Sequence, residues 1–227
     1  MLSDKDINIE NTADGSVTLY LPELDEHYHS VKGALTESCH VYVDLGWRKA
    51  AAEKSKEDLI RVFEAGYGTG LNAALTALEA MKEQRFTIYY SVELYPLSAS
   101  LYTTVAEQYP PYLATAMNAV NSAQWNEEIS INPYFTLKKI NADLLTVNVP
   151  EGIDVVYFDA FAPEKQPTLW EEPIFSRIYD AMNPDGVLAT YCAKGCIRRL
   201  LQSIGFLTER LPGPPGGKRE VLRATKP

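Results

Sequence analysis

The sequence predicts an α/β protein with a doubly wound, mostly parallel sheet and helices on both faces. From residue 59 onward, short apolar runs alternate with longer helical stretches, an order typical of parallel sheets. The run at residues 153–158 is apolar apart from Asp154, as expected of a strand covered on both faces. A glycine-rich turn after the first strand completes the pattern of an open sheet with a ligand site at its edge.

Each element follows from its local pattern. Strands are predicted where β-branched and aromatic residues cluster, and helices where alanine and leucine recur at helical spacing. The last two strands flank a Pro-Gly loop and therefore form an antiparallel hairpin. The sheet is predicted to have seven strands, at residues 59–63, 86–94, 135–141, 153–158, 186–191, 206–211 and 219–224. The main-domain helices are expected at residues 71–81, 98–108, 112–123, 171–182 and 196–203.

Residues 1–58 are predicted to form a small appendage on the main domain, which spans residues 59–227. Asp14 and Gly15 separate two short alternating runs, which is a hairpin signal. The rest of the appendage is expected to be a helix at residues 29–47 and an exposed charged segment at residues 49–58.

The bulk composition favours a cytoplasmic enzyme. The 227 residues, 46% of them hydrophobic, are enough for one domain with a proper core. No apolar run of about 18 residues is present, and the N-terminus lacks the order of a signal peptide, so no membrane span or export is expected. The three cysteines are too few for a disulfide framework, and the three histidines stand in no metal-binding spacing, so no metal is expected.

The turn after the first strand carries an acidic residue and three alternating glycines. Glycine tolerates positive φ and lets a ligand lie against bare backbone at the start of the next helix. The spacing is neither the G-x-G-x-x-G of dinucleotide sites nor a phosphate loop, which needs a lysine. A cofactor without phosphate, S-adenosyl-L-methionine (SAM), is expected instead. The predicted cofactor contacts here are Glu64, Gly66, Tyr67, Gly68, Gly70 and Asn72.

Two further acids follow strands whose carboxyl ends should meet at the same edge of the sheet. Glu93 ends the second strand, where a carboxylate can accept both ribose hydroxyls of the cofactor. Asp143 follows the third strand and could accept the adenine amino group. The alternative for Asp143 is a helix N-cap, a position that aspartate often fills.

The residues after the fourth strand occupy the catalytic position of such a fold. Asp159, Phe161 and Pro163 stand there and resemble the Asp-Pro-Pro-Tyr pattern of amino methyltransferases. An amine attacks a methyl donor only with a free lone pair, and a simple alkyl amine has a pKa of about 10. Asp159 could accept an amine N–H and orient the lone pair, while Phe161 could stack on a base or face the sulfonium. The alternative is a helix cap followed by a core phenylalanine.

Basic residues are concentrated near the C-terminus of an otherwise acidic protein. The net charge is −9, yet residues 194–227 hold eight Lys/Arg against two Asp/Glu. Basic and aromatic groups beyond the strand ends suit phosphate contacts and base stacking on RNA. Chance clustering on a solvated face is the alternative. The candidate RNA-binding residues are Lys165, Trp170, Lys194, Arg198, Arg199, Lys218 and Arg219.

Several segments together resemble the methyltransferase domain of the MnmC family, the bifunctional tRNA 5-methylaminomethyl-2-thiouridine biosynthesis enzymes. They are residues 63–72 (FEAGYGTGLN), 158–163 (FDAFAP), 216–220 (GGKRE), and 28–38 with 40–42 near the N-terminus. The resemblance implies SAM-dependent methylation of the aminomethyl group on wobble uridine, 2-thiolated or not, in certain tRNAs. It assigns catalysis to Asp159 and Phe161 and cofactor contacts to Glu64, Gly66, Gly68, Glu93 and Asp143.

Two departures from the family pattern bear on the substrate. The family's common Asp-Gly-Phe-Ala-Pro is Asp-Ala-Phe-Ala-Pro at residues 159–163. The bifunctional form continues into an FAD-dependent oxidase domain, whereas this sequence stops at Pro227. A stand-alone methylase that receives aminomethyl-uridine from other enzymes is therefore expected.

Two other classes of function remain open from the sequence. A different SAM-utilising enzyme could act on a small amine, as an N-methyltransferase or an aminopropyltransferase-like protein. Aminopropyl transfer would require a second acid near Asp159. The next acid along the chain, Glu164, follows Pro163, and this position argues against aminopropyl transfer. A SAM- or RNA-binding protein without turnover is the other alternative, and the intact segment 159–163 argues against it.

Overall fold

The computed structural model describes residues 7–227. Residue 6, the first residue of the hairpin predicted over residues 6–21, lies outside the described part together with residues 1–5. A small antiparallel sheet comes first, with strands β1 (Asn8–Asn11), β2 (Val17–Leu21) and β3 (Glu26–His27). Gly15 turns the chain between β1 and β2 with a φ of +82°. The hairpin predicted around the Asp-Gly pair is confirmed.

One long helix, α1, comes next in three consecutive segments, Ala34–Glu37, Ser38–Arg48 and Lys49–Ala52. Its middle segment has the wider hydrogen bonding of a π-helix. The helix begins later than the predicted residue 29, because His29 N donates to Thr18 Oγ1 (2.9 Å) and Gly33 has a φ of 150°. It also extends into the segment expected to be exposed, where Ala50 is buried.

Helix α1 packs directly against the larger, main sheet. The ring centroid of Tyr42 lies 5.2 Å from that of Tyr157 in this sheet. A Cβ on Gly46 would lie 2.9 Å from the Tyr157 ring, so only glycine allows this close approach. The helix and the sheet thus share one hydrophobic core. The domain boundary at residue 58 stays a prediction.

The main sheet is built from β4 (Ile60–Ala65), β5 (Thr87–Glu93), β6 (Glu128–Asn132), β7 (Phe135–Asn141), β8 (Ile153–Phe158), β9 (Met182–Thr190), β10 (Leu207–Pro212) and β11 (Glu220–Thr225). Their order across the sheet is β10-β11-β9-β8-β4-β5-β7-β6. Strands β7, β5, β4, β8 and β9 run parallel to their neighbours in that series. Strand β11 pairs antiparallel with both β9 and β10. The predicted α/β class and terminal hairpin are confirmed.

The predicted number of seven strands is wrong, because the main sheet has eight. The strand that the sequence did not reveal is β6, which pairs antiparallel with β7 at the edge of the sheet. None of its residues is fully buried. Its residues do alternate between polar and apolar, and Ile129 and Ile131 pack half-buried against the core. The alternation rests on only two apolar residues in five, which is a weak signal for a strand.

Five helices and one 3₁₀ turn complete the main domain: α2 (Leu71–Glu83), α3 (Ala99–Ala106), α4 (Pro111–Ser122), the turn Pro167–Trp170, α5 (Glu172–Ala181) and α6 (Gly195–Ile204). The ends of these five helices differ from the predicted ones by no more than two residues. Apolar residues of α1, α2 and α4 belong to one core cluster, and those of α5 and α6 belong to a second. Two cores separated by the sheet are what a doubly wound fold requires.

The order of the strands reverses between β4 and β8. The chain travels from β4 to β5 and β7, and then returns to β8 on the other side of β4. Ligands bind in such folds beyond the carboxyl ends of the strands at this switch point. Two backbone bonds hold the segments together there: Gly66 N donates to Val92 O (3.1 Å), and Asp159 N donates to Ala65 O (3.0 Å).

Candidate active site

The loop between β4 and α2 owes its shape to three alternating glycines. Gly66, Gly68 and Gly70 have φ values of +94°, +53° and +79°, which L side chains rarely adopt. A Cβ on Gly66 would lie 2.8 Å from the backbone oxygen of Asp159, and one on Gly70 would lie 2.5 Å from Asn121 Oδ1. The loop therefore packs against two neighbouring segments with no room for side chains.

A first cavity, of about 830 Å³, opens above this loop at the switch point. Its volume lies in the range of about 300–1,000 Å³ that is typical of cofactor pockets. The backbone of the glycine loop forms part of its wall, together with Glu93 at the end of β5. The Glu93 carboxylate is held by two backbone amides, Gly68 N (3.2 Å) and Tyr95 N (2.9 Å). This places an acid beside the glycine loop, as the sequence predicts for a ribose contact.

Asp143 also lines the first cavity, on the segment after β7. Its Oδ1 accepts a hydrogen bond from Leu145 N at 2.8 Å, so one carboxylate oxygen closes a turn. No helix begins after Asp143, so the alternative role of a helix N-cap is not observed, and the contact with adenine stays a prediction. Tyr67 belongs to the same wall, but its hydroxyl donates to Asn121 Oδ1 (2.7 Å) and its side chain supports the loop from within the protein.

A second cavity, of about 630 Å³, adjoins the first. The residues that line both cavities are Tyr28, His29, Asp159, Ala160 and Phe161. The predicted catalytic pair, Asp159 and Phe161, therefore stands in the wall common to the two. Phe161 packs edge-to-face against Tyr28, with ring centroids 5.1 Å apart. Ligands that enter from the two sides would meet beside Asp159.

The Asp159 side chain is half-buried, and its carboxylate is held by two donors. Tyr42 donates its hydroxyl to Oδ1 (2.5 Å), and Asn72 Nδ2 donates to Oδ2 (2.8 Å). Burial raises the pKa of Asp159 to about 7, against the opposing effect of these two hydrogen bonds. A carboxylate with a pKa near neutrality can both accept and release a proton at physiological pH, which suits a general base.

Glu64 lies beneath Asp159, with no solvent-exposed surface. Its carboxylate accepts hydrogen bonds from Ser91 Oγ (2.6 Å) and from Asn72 Nδ2 (3.0 Å), the same amide that reaches Asp159. Burial raises the pKa of Glu64 to about 8. Among the predicted cofactor contacts, Glu64, Gly70 and Asn72 do not line the first cavity. Asn72 instead joins the buried carboxyl group of Glu64 to the half-buried one of Asp159, a positioning arrangement that sequence alone did not suggest.

A family of S-adenosyl-L-methionine-dependent methyltransferases matches residues 102–227, which is more than half of the chain. The chain belongs to this family. It is therefore a methyltransferase that uses SAM, and the cofactor and reaction class predicted from the sequence are confirmed. The first cavity fits this cofactor, because it combines bare glycine backbone with carboxylates at two strand ends and contains no cluster for phosphate.

The relatives of this methyltransferase include two curated proteins named tRNA 5-methylaminomethyl-2-thiouridine biosynthesis bifunctional protein MnmC. Those of Pseudomonas fluorescens and Pseudomonas entomophila are 32% and 26% identical to it, and each comparison covers 88% of this chain. The chain spans 32% of the length of each of these relatives. The resemblance to the MnmC methyltransferase domain is confirmed.

Two solved structures are similar to this chain. MnmC2 from Aquifex aeolicus has a TM-score of 0.79 and 26% identity, covering 97% of this chain and 71% of that one. Spermidine synthase from Thermotoga maritima shares the fold, with a TM-score of 0.62 and 14% identity. The comparison covers 97% of this chain and 68% of the synthase chain.

The methyltransferase does not present Trp170 to RNA, contrary to the prediction. This side chain is only 4% exposed and packs against Phe158, with ring centroids 4.8 Å apart. Its Nε1 donates to the backbone oxygen of Phe161 at 2.8 Å. A buried indole cannot stack on a nucleobase, so Trp170 is a core residue that helps fix the segment around Phe161.

The predicted basic residues fall into three groups. Lys194, Lys218 and Arg219 line the second cavity. Lys165 lines the first cavity instead, 3.5 Å from Asp25. The two arginines of α6 line neither cavity, and the structure does not bring them to the site; they are Arg198 and Arg199.

The N-terminal region contributes residues that sequence reasoning missed. Tyr28, His29, Glu37 and Tyr42 all line a cavity or contact Asp159, although no role was assigned to any of them. Their only signal was the resemblance of residues 28–38 and 40–42 to the family. His29 Nε2 lies 2.8 Å from Thr69 Oγ1, and burial lowers its pKa to about 4, which keeps the ring neutral.

A second acid does lie near Asp159, although it is not Glu164, the next acid along the chain. Glu164 is exposed and paired with Lys194 at the surface. Glu37 of α1 lines the second cavity together with Asp159, and its negative charge contributes to raising the pKa of Asp159. Glu37 and Asp159 therefore both lie in the wall of the second cavity, which Glu26 and Glu220 also line.

Replacing Tyr42 with phenylalanine should shift the pH dependence of methyl transfer. The Tyr42 hydroxyl stabilises the carboxylate form of Asp159, so its loss should raise the pKa of Asp159 further. A base must be unprotonated to act, so the acid limb of the single-turnover rate profile should move to higher pH. Tyr157→Phe, which removes a buried hydroxyl bonded to Thr76, is the control. Equal acid limbs in wild type and Tyr42→Phe would contradict this role.

Replacing Glu64 with glutamine should flatten the pH dependence of stability. Between its ordinary pKa of 4.5 and the folded value of about 8, the folded protein keeps a proton that the unfolded chain has lost. The free energy of unfolding therefore falls as the pH rises through this window. Glutamine removes this titration and can still bond Ser91 and Asn72. Thermal unfolding at several pH values should show a smaller loss of Tm for Glu64→Gln than for wild type or for the exposed control Glu128→Gln. A loss of Tm as large as that of wild type would argue against a protonated Glu64.

Within residues 7–227, no group of three or more His, Cys, Asp or Glu side chains could hold a metal ion. In the same part of the chain, no helix is long and apolar enough to cross a membrane.

Proposed function

We propose that this methyltransferase N-methylates the 5-aminomethyl group of wobble uridine in tRNA, 2-thiolated or not, to give 5-methylaminomethyl-uridine. The observation that carries the proposal is the junction of two cavities at Asp159 and Phe161, one suited to SAM and one open to a second ligand. The similarity to proteins named for 5-methylaminomethyl-2-thiouridine biosynthesis supports this substrate.

The first cavity would hold the cofactor. The backbone of Gly66 and Gly68 would lie under it, Glu93 would accept the ribose hydroxyls, and Asp143 would accept the adenine amino group. When bound, SAM supplies a methyl group on a positively charged sulfur. The carboxylates of Glu93 and Asp143 favour a positively charged ligand in this cavity.

Asp159 would prepare the amine for attack. An aminomethyl group with an alkyl-amine pKa of about 10 enters mainly as the ammonium form, which has no free lone pair. Asp159 would accept one proton and keep the remaining N–H bonds oriented, so that the lone pair points toward the methyl group. Tyr42 and Asn72 hold the two carboxylate oxygens for this task.

Phe161 and Tyr28 would enclose the reacting groups. Their edge-to-face contact closes the boundary between the cavities on one side. Aromatic faces stabilise nearby cations and stack on bases, so these rings suit both the sulfonium and the uracil ring. The hydrogen bond from Trp170 Nε1 to the backbone oxygen of Phe161 keeps this segment in place.

The tRNA would approach through the second cavity. Lys194, Lys218 and Arg219 at its wall supply local positive charge on an acidic protein and would contact phosphates. The aminomethyl precursor must come from other enzymes that build it on the uridine, and we propose a functional link to them. Because a tRNA substrate is found in the cytoplasm, we propose that the protein acts there.

The proposal is tested with total tRNA from a strain that lacks this gene. The purified protein and methyl-labelled SAM are incubated with this tRNA, which is then digested to nucleosides for mass spectrometry. Label in 5-methylaminomethyl-uridine, with loss of the aminomethyl precursor, is the expected result. Binding of SAM without label in any tRNA nucleoside would contradict the proposal and favour a small amine as substrate. Label in neither tRNA nor small amines would favour a binding protein.

A further inference from the structure

The second cavity holds a buried acid that is not fully satisfied. Glu37, at the end of the first segment of α1, has a side chain that is only 10% exposed. Its Oε2 accepts a hydrogen bond from Ser30 N at 3.2 Å. Its Oε1 is buried and receives no hydrogen bond from any of the residues 7–227. An ionised acceptor in this state is unfavourable unless a cation is close.

The cation next to Glu37 is a primary ammonium group. Lys218 Nζ lies 3.4 Å from Glu37 Oε1 and 3.7 Å from the centroid of the Tyr191 ring. The Tyr191 ring is itself fixed, because its hydroxyl donates to the backbone oxygen of Ala160 at 2.9 Å. A carboxylate oxygen and an aromatic face together form a site for an alkylammonium ion.

Lys218 is suited to leave this site. It stands on the loop between β10 and β11, and its side chain is 42% exposed. Its contacts with Glu37 and Tyr191 are an ion pair and a cation–π contact, and neither fixes a long side chain strongly at a partly exposed position. An incoming cation of the same chemistry could therefore replace it while Glu37 stays paired.

We propose that Glu37 and Tyr191 form an ammonium-binding site in the second cavity, occupied by Lys218 in this structure and by the amine of the substrate during the reaction. This inference rests on the proposed function only in requiring that the substrate is an amine. It explains how the enzyme captures the abundant protonated form of an amine whose pKa is about 10. Asp159, in the same cavity, then receives the proton.

The division of labour between the two acids predicts different kinetic effects. Glu37 binds the ammonium before the reaction, so its loss should raise KM more than it lowers kcat. Glutamine keeps an oxygen for Ser30 N and has the same shape, so Glu37→Gln removes charge with little change in structure. Glu53→Gln, an exposed glutamate on the same polypeptide segment that lines neither cavity, is the matched control.

The test measures preference for an amine over a neutral group of similar size. An anticodon stem-loop RNA bearing 5-aminomethyl-uridine is compared with the same RNA bearing 5-hydroxymethyl-uridine, on protein loaded with S-adenosylhomocysteine. The ratio of the two affinities cancels the phosphate contacts. Wild type and Glu53→Gln should prefer the amine by about tenfold or more, the effect of one charge-assisted hydrogen bond. Glu37→Gln should lose this preference.

Lys218→Met is a second test, because it removes the ammonium group that contacts Glu37 in this structure. The preference ratio should rise above that of wild type, since the substrate amine no longer competes with Lys218. A ratio that falls would show that Lys218 does not occupy the amine's site. A Glu37→Gln variant that keeps the wild-type ratio would overturn the proposal as a whole.

A pair of small molecules separates this inference from the tRNA assignment. Benzylammonium and benzyl alcohol are titrated into the same proteins, with binding followed by the NMR signals of aromatic side chains. If wild type methylates no tRNA but prefers benzylammonium in a Glu37-dependent manner, the ammonium site stands and the tRNA assignment fails. Equal binding of both molecules to wild type and Glu37→Gln would overturn the ammonium site.

Discussion

Replacing Asp159 with asparagine should nearly abolish methyl transfer while leaving SAM binding almost intact. Asparagine has the same shape but cannot take a proton from the ammonium, so the single-turnover rate should fall by about 10²–10⁴-fold. The affinity for SAM should stay within about tenfold, or roughly 1.4 kcal/mol, because the glycine loop and Glu93 provide the predicted contacts. Rapid-quench kinetics with aminomethyl tRNA and calorimetry with SAM measure the two effects.

The matched control for this variant is Asp25→Asn. Asp25 is exposed at the protein surface and pairs with Lys165, away from the second cavity. It should keep the wild-type rate. An Asp159→Asn variant with wild-type turnover would remove Asp159 from the mechanism. A variant that loses SAM affinity by far more than tenfold would give Asp159 a binding role instead.

Replacing Gly66 with alanine should reduce SAM affinity by more than tenfold and remove most activity. The added Cβ would lie 2.8 Å from the backbone oxygen of Asp159, and both segments are fixed by backbone bonds, so neither can move freely. The change therefore distorts the cofactor loop and displaces the catalytic segment together. Calorimetric titration with SAM and thermal unfolding measure the consequences for binding and folding.

The control variant Gly15→Ala separates the effect of the contact between the added Cβ and Asp159 from the effect of backbone strain. Gly15 has a similar positive φ of +82°, but a Cβ there would meet nothing within 4 Å. It should show only the conformational penalty of a left-handed residue, about 1 kcal/mol, and normal SAM binding. Similar losses of SAM affinity in both variants would show that the contact between the glycine loop and Asp159 has no special importance.

The part of the fold that local patterns encode was predictable. The parallel strands, five helices and terminal hairpin all occur near their predicted positions, because burial on two faces and helical periodicity leave clear marks in a sequence. Strand β6 was missed, because its alternation rests on only two apolar residues, Ile129 and Ile131, in a short edge strand. The start of α1 also depends on a contact between the preceding segment and β2.

The site divides in the same way. Glu93, Asp143 and Asp159 could be selected from sequence because they follow strands, and the carboxyl ends of neighbouring parallel strands meet in space. The sequence could not show which of the seven candidate RNA-binding residues reach the site, because a position after a strand does not reveal whether a side chain is buried. Trp170 is a core residue, whereas Lys218 reaches the second cavity.

The sequence by itself determined the α/β class, the cofactor and the place of the predicted catalytic segment, because each depends on residues close together along the chain. Only the tertiary structure decided what surrounds Asp159. Tyr42 lies 117 positions away from it in sequence, and Glu37 comes from the same distant helix. Their approach depends on how α1 packs against the main sheet, where it contacts Tyr157 of β8. Local periodicity specifies which face of a helix is buried, but it does not specify which side chain of another element that face will meet.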